Sequence, residues 1–172
     1  MTDVRLTGGC QCGAVRYALH AQPARPCICH CRMCQKAAGN VFGSFAGVPT
    51  EKFELTRGEI TWWVSSSAGE RGFCRNCGTP LAWRNPEHSW TSMTIGSFDE
   101  PVRVKPIYVY GAESIVPWLH DVLAIAATET GKAGLQVKAE HDPHYENIRR
   151  TNNQHPDYDT TDWTPHPSNA SS

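Results

Sequence analysis

Cys74-Arg75-Asn76-Cys77-Gly78 is the stretch on which the fold turns. A C-x-x-C-G segment forms a tight knuckle: backbone N–H groups turn toward the two thiolates, and the glycine accepts the positive φ that follows the second ligand. One knuckle supplies half of a tetrahedral zinc site. Cys10-Gln11-Cys12, flanked by Gly8-Gly9 and Gly13, offers the other half from far upstream. The alternating run that follows, Ala14-Val15-Arg16-Tyr17, makes this segment a turn entering a strand. On a strand, residues two apart share a face, so Cys10 and Cys12 can present both sulfurs to one ion. An ion held by Cys10, Cys12, Cys74 and Cys77 ties the first strand to the middle of the chain. Structural zinc sites contribute on the order of 10 to 16 kcal/mol in this way. Arg16 and Arg75 stand close enough in sequence to offset the surplus charge of four thiolates. The competing reading of C-x-x-C is a redox dithiol, which belongs before a helix in a βαβ context. Here Gly78-Thr79-Pro80 leads into a strand-like run instead.

A second concentration of sulfur is Cys29-His30-Cys31-Arg32-Met33-Cys34. An ordinary core requires nothing like three thiols in six residues. The combination of C-x-C and C-x-x-C spacing lets one short turn aim all three sulfurs at one point. Thiolates favour zinc over magnesium or calcium, and a site with three protein ligands keeps a position open for a substrate atom. An outside thiol is the natural fourth ligand. His30 is an alternative fourth donor, but its place between two ligand cysteines turns the ring away. Cys27, two residues upstream, reads as a small buried side chain rather than a reserve ligand or redox partner.

Bulk properties bound what surrounds these clusters. A chain of 172 residues is ordinarily one domain, with or without a tail. A formal net charge of -1 gives no field that gathers nucleic acid or an anionic membrane. No apolar run is long enough to span a bilayer, and the start MTDVRLTGG has no signal-peptide pattern, which predicts a cytoplasmic protein. Eight cysteines in such a chain, nearly all in C-x-C or C-x-x-C spacing, argue for metal rather than disulfides.

Between and after the clusters the chain is mainly β. Residues 41–49, 53–65, 79–84, 89–98 and 102–110 read as strands, with Arg57-Gly58 as a hairpin turn. A short helix is predicted from Arg32 to Ala38, stopped by Gly39-Asn40. A second helix, Pro117 to Thr128 and followed by Gly131, has an apolar face broad enough to pack on a core or to serve a homodimer. Domain organisation follows: residues 1–137 form the zinc-binding domain, and residues 138–172 a polar, flexible or surface-draped tail with Tyr158 and Trp163 as docking points. His141, His144, His155 and His166 read as solvated tail residues.

Three ordered motifs carry a resemblance: Gly8 to Tyr17, Cys29 to Gly39, and Phe73 to Leu81. They resemble those of the glutathione-dependent formaldehyde-activating enzyme family, which includes centromere protein V. Gly96-Ser97-Phe98-Asp99-Glu100 and Ile107-Tyr108-Val109 are similar to the family's closing segments. The resemblance implies two small antiparallel sheets around a zinc ribbon. It also implies structural zinc on Cys10, Cys12, Cys74 and Cys77, and a reactive, labile zinc on Cys29, Cys31 and Cys34. The implied activity is that of a carbon–sulfur lyase or synthase adding a glutathione-like thiol to a small aldehyde. Arg32 and Lys36, near the trio, are then candidate anchors for the carboxylates of glutathione. Two alternatives remain. One is a non-catalytic zinc module that recruits a partner. The other is a thiol sensor in which Cys27 and the trio form disulfides after zinc loss.

Overall fold

The computed structural model describes residues 5–124 and 143–165. Its body comprises residues 5–114 together with 154–165. Ten strands make two sheets: β1 (Leu6–Gly9), β2 (Arg16–Leu19), β3 (Ala24–Cys29), β4 (Gly43–Pro49), β5 (Phe53–Arg57), β6 (Thr61–Ser66), β7 (Gly69–Phe73), β8 (Pro80–Arg84), β9 (Trp90–Thr94) and β10 (Tyr108–Tyr110). A three-stranded sheet has the order β1-β2-β5, and a seven-stranded sheet the order β10-β3-β4-β9-β8-β7-β6. The mainly β, two-sheet architecture is as expected. One sheet is nevertheless large, and it is mixed, because β10 pairs with β3 in parallel.

A helix, α1 (Arg32–Ala38), follows β3 and stops where Gly39 turns left-handed at φ 59°. A separate unit, Ile115–Asn153, holds the helices α2 (Leu119–Ala124) and α3 (Pro143–Thr151). The helix expected over 117–128 is thus seen as Leu119–Ala124: Pro117 and Trp118 form a turn before it, and residues 125–128, with Gly131, lie outside the described residues.

Several local expectations are corrected. Arg57-Gly58 is not a hairpin turn: β5 pairs with β2 in the small sheet, while β6 pairs with β7 in the large one. Gly58 sits at φ 67°, and a Cβ there would meet the Ala14 carbonyl oxygen at 2.0 Å, so the turn is a tight crossover between sheets. Cys10 and Cys12 are not on a strand but in the turn after β1. Strand 89–98 shortens to β9, since Ile95–Ser97 is a 3-10 turn, and Pro101–Arg103 is another such turn rather than the start of a strand.

The core lies between the sheets. All four residues of β2 are buried, with Tyr17, Ala18 and Leu19 fully so, against Val48, Leu81, Met93 and Phe98. The hydroxyl of Tyr17 shares a hydrogen bond with Ser97 Oγ at 2.8 Å, which satisfies the one polar atom of this side chain.

Of the segment expected as a polar tail, residues 154–165 lie on the body. His155 N–H donates to the Gln11 carbonyl at 2.7 Å, and the Trp163 indole N–H donates to the Cys12 carbonyl at 2.8 Å. Trp163 is therefore a docking point, whereas Tyr158 stays 63% exposed. His155 is buried, not solvated, because its ring closes over Gly13. His141 and His166 lie outside the described residues.

A charge network fastens this segment. The buried Arg16 guanidinium donates twice to Asp99, at 2.8 and 2.6 Å, and its Nε donates to Asp159 Oδ1 at 3.0 Å. Arg16 and Asp99 side chains are only 3% and 7% exposed, but Asp159 is 36% exposed. Asp99→Ala leaves the buried cation with only the more exposed Asp159 and is expected to cost about 3 kcal/mol. Asp159→Ala removes a wetter partner and is expected to cost about 1 kcal/mol or less. Urea unfolding of the two variants checks the order; equal losses would contradict it.

Candidate metal centres

Two cysteine clusters form, and each draws its geometry from a local turn. At Cys10–Gly13, Gly13 N–H donates to the Cys10 carbonyl and Cys10 N–H donates to the Val15 carbonyl, with Gly13 at φ 75°. At Cys74–Gly78 the pattern repeats: Gly78 N–H donates to the Cys74 carbonyl, Cys74 N–H donates to the Thr79 carbonyl, and Gly78 is also at φ 75°. One knuckle joins β1 to β2, the other joins β7 to β8. Their four sulfurs therefore meet between the two sheets, all within 4.8 Å of one another.

Tetrahedral zinc at about 2.3 Å from each sulfur would place neighbouring sulfurs about 3.8 Å apart. Cys10 Sγ lies 3.6 Å from Cys12 Sγ, and Cys12 Sγ lies 3.9 Å from Cys74 Sγ. The donor set and spacing fit that ion. Val15 N–H also donates to Cys10 Sγ at 3.2 Å, the kind of N–H···S contact that steadies a thiolate.

The titration of these thiols is uneven. Burial pushes Cys10 well up, with only partial relief from the Val15 N–H, and pushes Cys12 up to about 11. Cys77 is brought down to about 6: burial opposes its ionisation, but hydrogen bonds from the Thr79 hydroxyl and N–H outweigh it. A divalent cation is what allows the remaining sulfurs to ionise together.

The second cluster is assembled by a strand end and a helix start. Cys29 is the last residue of β3, Cys31 precedes α1, and Cys34 is the third residue of α1. Sγ of Cys29 and Cys31 are 3.4 Å apart, and all three sulfurs lie within 4.8 Å of one another. The spacing again fits a shared soft cation. No fourth His, Cys, Asp or Glu joins them among the described residues. His30 turns its ring edge-on to Phe42, at 5.7 Å between centroids. The parallel strand β10 completes the frame: His30 N–H donates to the Tyr110 carbonyl at 2.8 Å. Gly111, at φ 66°, has no room for a Cβ beside Cys31 N, which would lie 2.5 Å away.

The trio lines a cavity of about 760 Å³. Phe45, Trp83, Trp90 and Tyr110 give it apolar walls, and Arg25, Arg71 and His88 bring nitrogen. Arg71, from β7, donates to Cys34 Sγ at 3.6 Å. Burial raises Cys29 to about 12; for Cys31 burial acts the same way, but the Cys34 N–H and the Cys29 thiol reverse it and the net shift is down. The expected anchors Arg32 and Lys36 are exposed on α1 and do not line the cavity; Arg32 instead donates to Gln35 Oε1 at 2.7 Å. Cys27 lines the same cavity but stands outside the trio.

A family model described as glutathione-dependent formaldehyde-activating enzyme matches residues 5–112, more than half of the chain and all seven clustered cysteines. The chain belongs to that family. This family member is similar to an uncharacterized lyase of Schizosaccharomyces pombe, 37% identical over 76 residues that make up 43% of this chain and 53% of the relative. The chain thus spans about half the length of the curated relative it matches. A crystal structure of a Rhodobacter sphaeroides protein aligns with TM-score 0.49 at 19% identity, covering 60% of this chain and 98% of the other. The residues beyond 112, including those that strap the Cys10–Gly13 turn, fall outside the family match. Among the described residues no helix is long and apolar enough to cross a membrane.

Sequence reasoning located both clusters but missed the cavity walls. Arg25, Arg71, Trp83, Trp90 and Tyr110 come from β3, β7, β8, β9 and β10. No local motif marks them, and only strand pairing brings them together. Arg25 alone had a signal, a cation placed before Pro26 and just upstream of the sulfur run.

Proposed function

We propose that this protein is a zinc-dependent carbon–sulfur lyase or synthase that promotes addition of a glutathione-like thiol to formaldehyde or a similarly small aldehyde. The observation that carries the reading is the convergence of Cys29, Cys31 and Cys34 in a cavity, with no fourth protein donor among the described residues. Cys10, Cys12, Cys74 and Cys77 are the set that would hold the structural ion. Zinc held by the trio would favour the thiolate of an incoming thiol at neutral pH and fix its position.

The chain's own residues do the rest. Cys29, Cys31 and Cys34 set the place where a substrate sulfur is received, and Arg71 steadies the Cys34 sulfur by its hydrogen bond. Phe45, Trp83 and Trp90 give the site an apolar wall, against which a held sulfur can meet the aldehyde in a fixed orientation rather than by free diffusion. In the addition a sulfur–carbon bond forms, the carbonyl π bond breaks, and the thiol proton ends on the aldehyde oxygen. No oxidant or reductant is consumed.

The test uses the full chain loaded with zinc, glutathione and formaldehyde, with hemithioacetal formation followed by exchange NMR. The expected result is a rate above the spontaneous background that is lost on chelation and regained with zinc. A protein that neither binds glutathione nor alters the rate is not this enzyme. X-ray absorption separates the partner-recruiting module from the enzyme. The module needs four protein donors at both metals, whereas the enzyme needs one site with three sulfurs and an exchangeable fourth ligand.

A further inference from the structure

Arg25 has a backbone that an arginine does not adopt without cause. It is the sole non-glycine residue with positive φ among the described residues, at 49°. That conformation costs an L-residue about 1 kcal/mol or more, and the following Pro26 restricts the position further. The cause is a bulge. Ala24 pairs with Gly47 and Cys27 with Phe45, so β3 uses one residue more than β4 over the same stretch. Bulges of this kind re-aim a side chain. Here Arg25 becomes part of the wall of the cavity that contains the trio.

What Arg25 meets there matters as much. Arg16, Arg84 and Arg103 each hold a carboxylate of the protein, while Arg25 has no hydrogen-bond or ion-pair partner among the described residues. Arg71, the other arginine of the cavity, is already engaged by Cys34 Sγ. No Asp or Glu lines the cavity. Arg25 is exposed, but unlike Arg32 and Lys36 it belongs to the cavity lining, where an unpaired guanidinium can meet an anion from outside and its fork geometry suits a carboxylate.

Distance narrows the ligand. Four residue steps along the strand lead from Arg25 to Cys29, roughly 13 Å at about 3.3 Å per step. In a tripeptide thiol with its sulfur on the central residue, a terminal carboxylate extends to about 7 Å from that sulfur, against about 4 Å in free cysteine. An arginine side chain extended along the strand toward Cys29 would cover the remaining distance for a peptide-sized thiol, but not for cysteine or a small neutral thiol.

We infer that Arg25 anchors a carboxylate of the thiol substrate and so selects anionic, peptide-sized thiols at the three-cysteine site. The identity of the ligand as substrate rests on the thiol-addition reading above. The anchoring itself is open to a separate test.

S-methylglutathione keeps both carboxylates but has no free thiol and cannot react. Titrated into the zinc-loaded full chain, it is expected to change the fluorescence of Trp83 and Trp90 on binding. Arg25→Ala should weaken that binding about tenfold or more, Arg25→Lys should recover part of it, and the α1 controls Arg32→Ala and Lys36→Ala should leave it within about twofold. With glutathione as substrate, Arg25→Ala should raise KM and spare kcat, and 2-mercaptoethanol should be indifferent to the change. Absence of binding to the wild type, or equal affinity in Arg25→Ala, overturns the inference. Binding that depends on Arg25 without any turnover sustains it and removes the enzymatic reading instead.

Discussion

Cys74→Ser is expected to leave a chain that does not fold at neutral pH. The residue is 1% exposed, and its sulfur belongs to the set that joins the turn after β1 to the turn after β7. Each of those turns belongs to a different sheet. Among the described residues the two sheets are otherwise held by the apolar core that contains Tyr17, Leu19, Leu81, Met93 and Phe98. Ion binding at a four-thiolate site contributes about 10 to 16 kcal/mol at neutral pH. Whole domains are stable by only about 5 to 15 kcal/mol. Removing one ligand therefore forfeits an amount comparable with the stability of the entire body. Cys77→Ser should do the same although Cys77 is half-buried, because the loss is of the ion and not of packing. Near-UV circular dichroism and zinc content of refolded protein provide the check. Native-like spectra with metal retained would mean that three ligands suffice and that the crosslink is dispensable.

This result depends on features that were legible in the sequence because they are local. A C-x-x-C-G run fixes its own turn, and Gly78 at φ 75° takes the conformation the motif demands. The helix from Arg32 to Ala38 and its stop at Gly39 were likewise written into adjacent residues. What failed were readings that needed partners. Arg57-Gly58 has ordinary turn chemistry, but turn chemistry does not say which sheet the next strand joins, and here the chain changes sheets. The parallel pairing of Tyr108–Tyr110 with β3 was invisible for the same reason: three exposed residues carry no periodicity that names a neighbour. The tail was read from composition, with its aromatic residues Tyr158 and Trp163 as the expected docking points. Trp163, expected as a docking point, does bond to the Cys12 carbonyl, but the pairing of Asp159 with Arg16 is a single contact that average polarity cannot reveal. Arg32 and Lys36, the cations nearest the trio in sequence, lie outside the cavity lining, whereas Arg25 belongs to it through a bulged strand that no local motif marks.

Cys31→Ser is expected to show the opposite separation: the fold survives and the chemistry goes. Cys31 is partly exposed, sits outside the core, and precedes α1 without capping it through its side chain. Serine keeps its shape, so unfolding midpoints should move by no more than about 1 kcal/mol. The sulfur, however, is one of three, and a soft cation held by two thiolates in an open cavity should be lost to dilute chelator. With it goes the charge stabilisation of the bound thiolate, worth several kcal/mol, so turnover should fall about a thousand-fold or to the spontaneous rate. Cys34→Ser should abolish turnover equally but cost more stability, since Cys34 is 8% exposed and accepts the Arg71 hydrogen bond. Zinc stoichiometry is the decisive companion measurement. Each variant should drop by one equivalent relative to the wild type and keep the tightly held remainder. Loss of activity with full zinc content would assign the sulfurs a role other than metal binding, and loss of all zinc would show that the two centres are not independent.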